Sequence, residues 1–198
     1  MDDRIRITGV QTLAHDWGKL TKASFDYRRA DGSWQPLQRE CYDHGNAATM
    51  LLFNPVRRTV LLTRQFRYPV FANEDNAWVI EACAGLLDGD HPMAAIMREA
   101  MEETGHRPHG VQHLFDAYMS PGSVQERVSF FLGLYDETTA EEAGGGLAHE
   151  GEEIELLEMD LGRALQLITS GEIIDGKTIM LLHWVALHRP APADFNSR

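Results

Sequence analysis

The chain has 198 residues and a formal charge of -12 at neutral pH, enough length for one domain with a real core, or for one domain and a small appendage. The acidic balance, with no basic run anywhere, argues against a nucleic-acid backbone as partner. No apolar run reaches the roughly 18 residues of a membrane span, the opening MDDRIRITG is charged where a signal peptide would be apolar, and Cys41 and Cys83 make neither a metal spacing nor a disulfide framework. A cytoplasmic protein in a reducing compartment, without a membrane partner, is expected.

Residues 4–13, 19–28 and 34–42 read as an amino-terminal strand group, the last two joined across Asp31-Gly32, a dipeptide typical of hairpin turns. Ala47 to Phe53 and Arg58 to Phe66 are two buried-looking strands around Asn54-Pro55. A strand-like AWVIEACA then leads through Gly85 and Gly89, which serve as simple turn formers on the plainest reading, into a helix ending at Gly105. Asp90 as N-cap and Pro92 in the first turn would start that helix. Met93, Ile96, Met97, Ala100 and Met101 form its apolar stripe.

The same helix places Glu99, Glu102 and Glu103 at spacings of three and four, on one face. Like charges so spaced cost a helix roughly 0.2–0.5 kcal/mol per pair, and a hard divalent ion with oxygen ligands reverses the sign of that cost. Taken alone, REAMEETG would also suit a solvated helix face closed by a glycine. The order of parts, strand then glycine turn then capped acidic helix, favours a cation site.

Beyond the helix, Leu114 to Met119 and Val128 to Tyr135 continue the strand pattern, and residues 137–151, with Gly144, Gly145 and Gly146, form the longest loop. Loops of that length inside a compact domain are usually functional or mobile. Residues 153–158 read as a strand, Leu161 to Ser170 and Asp175 to His188 as helices, and the tail from Pro190 as frayed.

The segment from Gly85 to Gly105 resembles the Nudix box, GX5EX7REUXEEXGU, with Arg98, Glu99, Ala100, Glu102, Glu103 and Gly105 in register. Its front departs: the box expects a glycine at Ala84 and a glutamate at Asp90, so the loop is one residue short and the first glutamate is absent. RECYDHGNAATMLLFN, RQFR, YMSPG, GGG followed by EGEEIE, and DGKTIMLL extend the resemblance to the nucleoside-diphosphate-sugar branch of that family. The shortened box and DGKT favour its GDP-mannose side over ADP-ribose.

The resemblance implies an α+β fold, a Nudix α/β/α sandwich with a mixed central sheet and an additional amino-terminal antiparallel strand group. Residues 1–45 would serve dimerisation and the base pocket, 46–190 would form the hydrolase domain and 191–198 the tail. It also implies Mg2+-dependent hydrolysis of a nucleoside-diphosphate sugar, GDP-mannose first and ADP-ribose as the alternative, with Mn2+ able to substitute. Glu99 and Glu103 would be direct metal ligands, Glu102 a ligand to a second ion or a water-mediated neighbour, and the Ala84 carbonyl a further ligand. Arg98 would orient the acids, its plainer reading being a surface pair with Glu102. Glu152 would be the general base, with Glu150, Glu153 and Glu155 as competitors and Glu126 supporting the metal.

Arg39, Arg67 and Lys177 would grip phosphate or sugar, although each also suits an ordinary surface or structural pair. Trp17 would stack on the purine, from its own subunit or from the partner of a homodimer, and a core tryptophan is the competing reading. Leu13, Trp17 and Phe25, under-buried in a monomer, are consistent with such a dimer. A ligand-sensing Nudix domain without hydrolysis would be expected to have lost the acids that are present here.

Overall fold

A computed structural model of the chain describes residues 3–147, 151, 153–191 and 195. The chain divides into two compact units, Met1–Asn46 with Tyr118–Arg127, and Ala47–Ala117 with Val128–Arg198. In the first, strands β1 (Ile5–His15), β2 (Lys19–Arg28) and β3 (Trp34–Asp43) form an antiparallel sheet in the order β1-β2-β3. The hairpin between β2 and β3 closes where expected. Gly32 adopts φ 86°, and the Asp31 carboxylate accepts from the Ser33 amide at 2.9 Å.

The YMSPG segment returns to this unit from far along the chain. Tyr42 of β3 donates its amide to the Ser123 carbonyl at 2.8 Å and accepts from the Gln125 amide at 2.9 Å, while the Asn46 side chain accepts from the Arg127 amide at 2.9 Å. β1 is exposed along its whole length, Ile5, Ile7, Val10 and Leu13 included.

The second unit holds a seven-stranded mixed sheet. Along its main path β10 (Glu155–Asp160), β5 (Thr59–Phe66), β4 (Ala47–Asn54), β9 (Arg127–Leu134) and β8 (His109–Tyr118) are neighbours in that order. β4 and β9 run parallel, whereas β4 with β5 and β5 with β10 are antiparallel. β4 and β5 pair only beside their turn, from Leu52↔Leu61 to Asn54↔Thr59. They then separate, β5 continuing on β6 (Trp78–Glu81) and β4 on β7 (Cys83–Leu86). The segment from Trp78 to Leu86 is therefore wedged into the open end of the sheet.

Helix α2 (Pro92–Thr104) covers one face, its Ile96 and Ala100 in a cluster with Ala48, Met50, Leu52, Leu61, Cys83 and Phe131. The even-numbered residues of β4 point to that helix, as the two-residue period of a strand requires. β4 is buried at every residue, so its other face is also covered; α4 (Gly176–His188) lies on it with Thr178, Leu181, Leu182 and Val185 buried. α3 (Leu161–Ser170) packs beside α4 and β10. The short helix α1 (Tyr68–Phe71) follows β5. Four residues with Pro69 among them leave too little periodicity to be read in advance.

Asp160 closes β10 and caps α3, its carboxylate accepting from the amides of Gly162 at 2.7 Å and Arg163 at 3.3 Å. These amides have no partner inside the helix, so removing the acceptor leaves them to water. Asp160→Ala is expected to lower unfolding free energy by about 1 kcal/mol, and Asp160→Asn by much less. Denaturant unfolding that shows equal stability for all three proteins would contradict the cap.

Candidate active site

The acids of α2 are not on an ordinary surface. Glu103 is 2 % exposed, and Glu99 and Glu102 are largely covered. Gly85 is the reason Glu99 can sit where it does. A Cβ on Gly85 would stand 2.3 Å from the Glu99 carboxyl carbon, so any other residue would push the carboxylate off the strand. Gly85 lies within β7, one residue beyond Ala84, and is no turn former; the turn is made by Asp88 at φ 48° and Gly89 at φ 91°.

The helix starts one residue later than expected. His91, not Asp90, is the N-cap, its Nδ1 accepting from the Met93 amide at 3.3 Å. Proline as the first helical residue disfavours a helical conformation in the residue before it, which is therefore extended and free to cap. Asp90 is left to pair with Arg98, at 3.9 Å. The same guanidinium reaches Glu99 at 3.0 Å and Glu102 at 3.6 Å. Arg98 thus bridges loop and acids, more than a surface pair with Glu102 alone.

At the other end of α2 the GGG loop is a clasp. Gly105 ends the helix at φ 70°, the Gly145 amide donates to the Glu103 carbonyl at 2.9 Å and the Gly146 amide to the Glu102 carbonyl at 3.1 Å. These are carbonyls that a helix leaves without internal partners. Gly144 combines φ 66° with backbone contact, since a Cβ there would stand 2.5 Å from the Thr104 carbonyl carbon. The loop closes on itself through the Ile154 amide and the Gly145 carbonyl at 3.1 Å, so both of its described ends are tied down.

Glu152 and Glu150 lie outside the described residues. Of their competitors, Glu155 accepts from Arg64 Nε at 2.8 Å and is committed to that pair. Glu153 and Glu155 line a cleft of 540 Å3 together with Arg64, Asn76, Trp78 and Ile154.

Arg67 and Lys177 come together on a residue that motif reading did not single out, Glu81 of β6. Arg67 Nε donates to Glu81 Oε2 at 2.7 Å, and Lys177 Nζ lies 3.8 Å from Oε1. Burial raises the Glu81 carboxyl above its ordinary range, and the charges of Arg67 and Lys177 oppose that rise. Lys177 also donates to Asp175 at 2.7 Å. Burial works against the Asp175 charge as well, but Lys177 and hydrogen bonds from Thr178 hold that carboxyl below the usual carboxylate range. A lone acid in the apolar run WVIEACA was the available signal, because an acid inside a buried strand needs partners.

Trp17 and Arg39 belong to the first unit. Trp17 follows β1 at 72 % exposure, stacked on His44 at 5.3 Å and 19°, so it is no core tryptophan. Arg39 is an exposed residue of β3, donating to the Gln38 carbonyl at 2.8 Å. Glu126 lies in the returning segment of the same unit.

Magnesium takes hard oxygen ligands, few of them from protein, and keeps water and phosphate for the rest. Carboxylates gathered on one helix turn, with Glu99 seated in the cradle that Gly85 opens beside Ala84, suit that ion. Among the described residues no three His, Cys, Asp or Glu side chains already converge into a cage.

Gly85→Ala tests the cradle. The added methyl must displace Glu99, so hydrolysis of a nucleoside-diphosphate sugar is expected to fall by roughly tenfold or more while the melting temperature changes by only a few degrees. Wild-type turnover in Gly85→Ala would show that the position of Glu99 does not matter.

The NUDIX domain family matches residues 43–181, and the family described as GDP-mannose pyrophosphatase NudK N-terminal domain matches residues 4–42. The chain is 46 % identical over 183 residues to a GDP-mannose pyrophosphatase of Pectobacterium atrosepticum, covering 92 % of this chain and 94 % of that one. It is 42 % identical over 188 residues to a GDP-mannose pyrophosphatase of Escherichia coli, covering 94 % and 97 %. A solved structure described as an ADP compounds hydrolase shares the fold, with a TM-score of 0.69 at 17 % identity over 94 % of this chain and 96 % of that one. The chain belongs to the Nudix hydrolase family.

Proposed function

We propose that this Nudix pyrophosphatase hydrolyses the diphosphate bond of GDP-mannose, giving GMP and mannose 1-phosphate, with Mg2+ as its ion and Mn2+ able to replace it. The observation that carries the reading is the acid face of α2, with Glu99 set against Gly85 and Arg98 bridging Glu99, Glu102 and Asp90. The choice of sugar nucleotide is supported by two relatives named GDP-mannose pyrophosphatase, each matched over more than nine-tenths of its length.

A bound divalent ion supplies charge neutralisation on the diphosphate and a lowered pKa for the attacking water. Glu99, Glu103 and the Ala84 carbonyl would hold such an ion, with Glu102 at a second ion or acting through water. Arg98 keeps Glu99 and Glu102 in place by offering its guanidinium to both and to Asp90 of the loop. Glu152 takes the proton as the water oxygen bonds to phosphorus and the bridging P–O bond breaks. Acids committed to an ion are poor proton acceptors, and the loop that carries Glu152 is clasped to the end of α2 through the Gly145 and Gly146 amides, with the Ile154 amide bonded back to the Gly145 carbonyl.

Arg67 and Lys177 bind the phosphates; planar guanidinium donors suit phosphate oxygens in pairs. Trp17 stacks on the guanine and Arg39 adds a further phosphate contact. We assign the amino-terminal strands to dimerisation and the base pocket, a role supported by the exposed apolar side chains of β1. Residues 46–190 are the hydrolase domain, and residues 191–198 a tail. Cys41 and Cys83 are both free cysteines, which suits the reducing, cytoplasmic location proposed here.

Glu103→Gln is expected to lower turnover of GDP-mannose by about two orders of magnitude or more with the fold retained. Product analysis with GDP-mannose and ADP-ribose at equal concentration decides the substrate. Near-normal turnover by Glu103→Gln would remove the ligand assignment, and a large preference for ADP-ribose would replace GDP-mannose.

A further inference from the structure

We infer that Glu81 is a positioning residue, a buried carboxylate that sets Arg67 and Lys177 at a fixed spacing so that the two cations grip the diphosphate as one clamp. The inference rests on the proposed role of Arg67 and Lys177. Its basis is that one carboxylate serves both, Oε2 taking Arg67 Nε at 2.7 Å and Oε1 facing Lys177 Nζ at 3.8 Å. A group with two oxygens at fixed separation fixes the distance between the cations it holds.

Exposure gives the arrangement its polarity. The side chains of Glu81 and Asp175 are 6 % and 12 % exposed, whereas those of Arg67 and Lys177 are 40 % and 21 % exposed. The four formal charges sum to zero, with the acids on the inner side and the cations on the outer. Such a layer is stable without a ligand and still presents positive charge outward. Among the described residues the Arg67 side chain donates through Nε to Glu81 and its Nη nitrogens take no protein acceptor.

The clamp is also registered against the acid helix. Asp175 caps α4 by accepting from the Thr178 amide at 2.9 Å and hydroxyl at 2.7 Å, and the same hydroxyl accepts from the Ala82 amide at 2.7 Å. Glu81 and Ala82 therefore fix the start of the helix that carries Lys177. Three residues beyond Glu81 comes Ala84, roughly 10 Å along an extended chain. One wedged strand segment thus holds the cations and cradles Glu99.

The test measures inorganic pyrophosphate binding to the whole protein by calorimetry, together with KM and kcat for GDP-mannose. Glu81→Gln is expected to weaken pyrophosphate binding about tenfold and to raise KM in parallel, with kcat changing by less than about threefold. In the Arg67→Ala/Lys177→Ala background the same substitution is expected to change pyrophosphate affinity by less than about twofold, because its effect passes through those two side chains. If Glu81→Gln lowers the melting temperature but leaves affinity and KM unchanged, or acts equally in both backgrounds, Glu81 is only a structural acid and the inference falls. Glu81→Asp keeps the charge but draws it back by one methylene; it replaces Glu81→Gln if that variant does not fold, and wild-type affinity in it would equally overturn the clamp. A wild-type protein whose pyrophosphate binding depends on Glu81 as expected, yet which hydrolyses no GDP-mannose, would sink the proposed substrate and leave the clamp standing.

Discussion

Mutual repulsion among the carboxylates of one helix turn is the constraint around which the second unit is arranged. Glu99, Glu102 and Glu103 fall on a single face of α2, and Glu103 is nearly inaccessible to solvent. Water alone does not relieve charge there. A strand glycine makes room for one carboxylate, an arginine bridges two of them to the preceding loop, and the helix end is clasped by the amides of the glycine loop. The like-charge cost of roughly half a kcal/mol per pair on an exposed helix grows with burial, because the surroundings screen less. A divalent ion in the proposed site would convert that cost into binding.

The split between β4 and β5 explains why the supporting groups meet. Two strands that pair only near their turn leave a gap that β6 and β7 fill, and this inserted segment touches both candidate clusters. Glu81 faces the cations, and Gly85 receives Glu99. A substitution in these few residues would disturb the proposed phosphate clamp and the acid site together.

Much of this was legible in the sequence for physical reasons that can be named. Alternation located most strands to within a few residues, although β8 begins at His109 and not at Leu114, Asp31-Gly32 fixed a hairpin, and helical periodicity placed α4. The acid spacing on α2 needed only helical geometry. What escaped depended on contacts between distant residues or on a local competition. Glu81 stood as a lone acid in an apolar run, and its partners Arg67 and Lys177 are brought to it only by the fold. Gly85 read as a turn, because nothing local shows that a carboxylate from the next helix will press against it. The cap moved from Asp90 to His91 because the proline constraint acts on the residue immediately before it. The GGG stretch read as a long loop, and its use as a helix clasp emerges only when the helix end is placed beside it.

The central claim is that the acid face of α2 binds divalent cations. Titration with Mn2+ in the presence of GMP, followed by electron paramagnetic resonance, tests it most directly. The wild-type protein should deplete free Mn2+ stoichiometrically, and a folded Glu99→Gln/Glu103→Gln protein should not. Equal uptake by both proteins, or none by the wild type, would contradict the account.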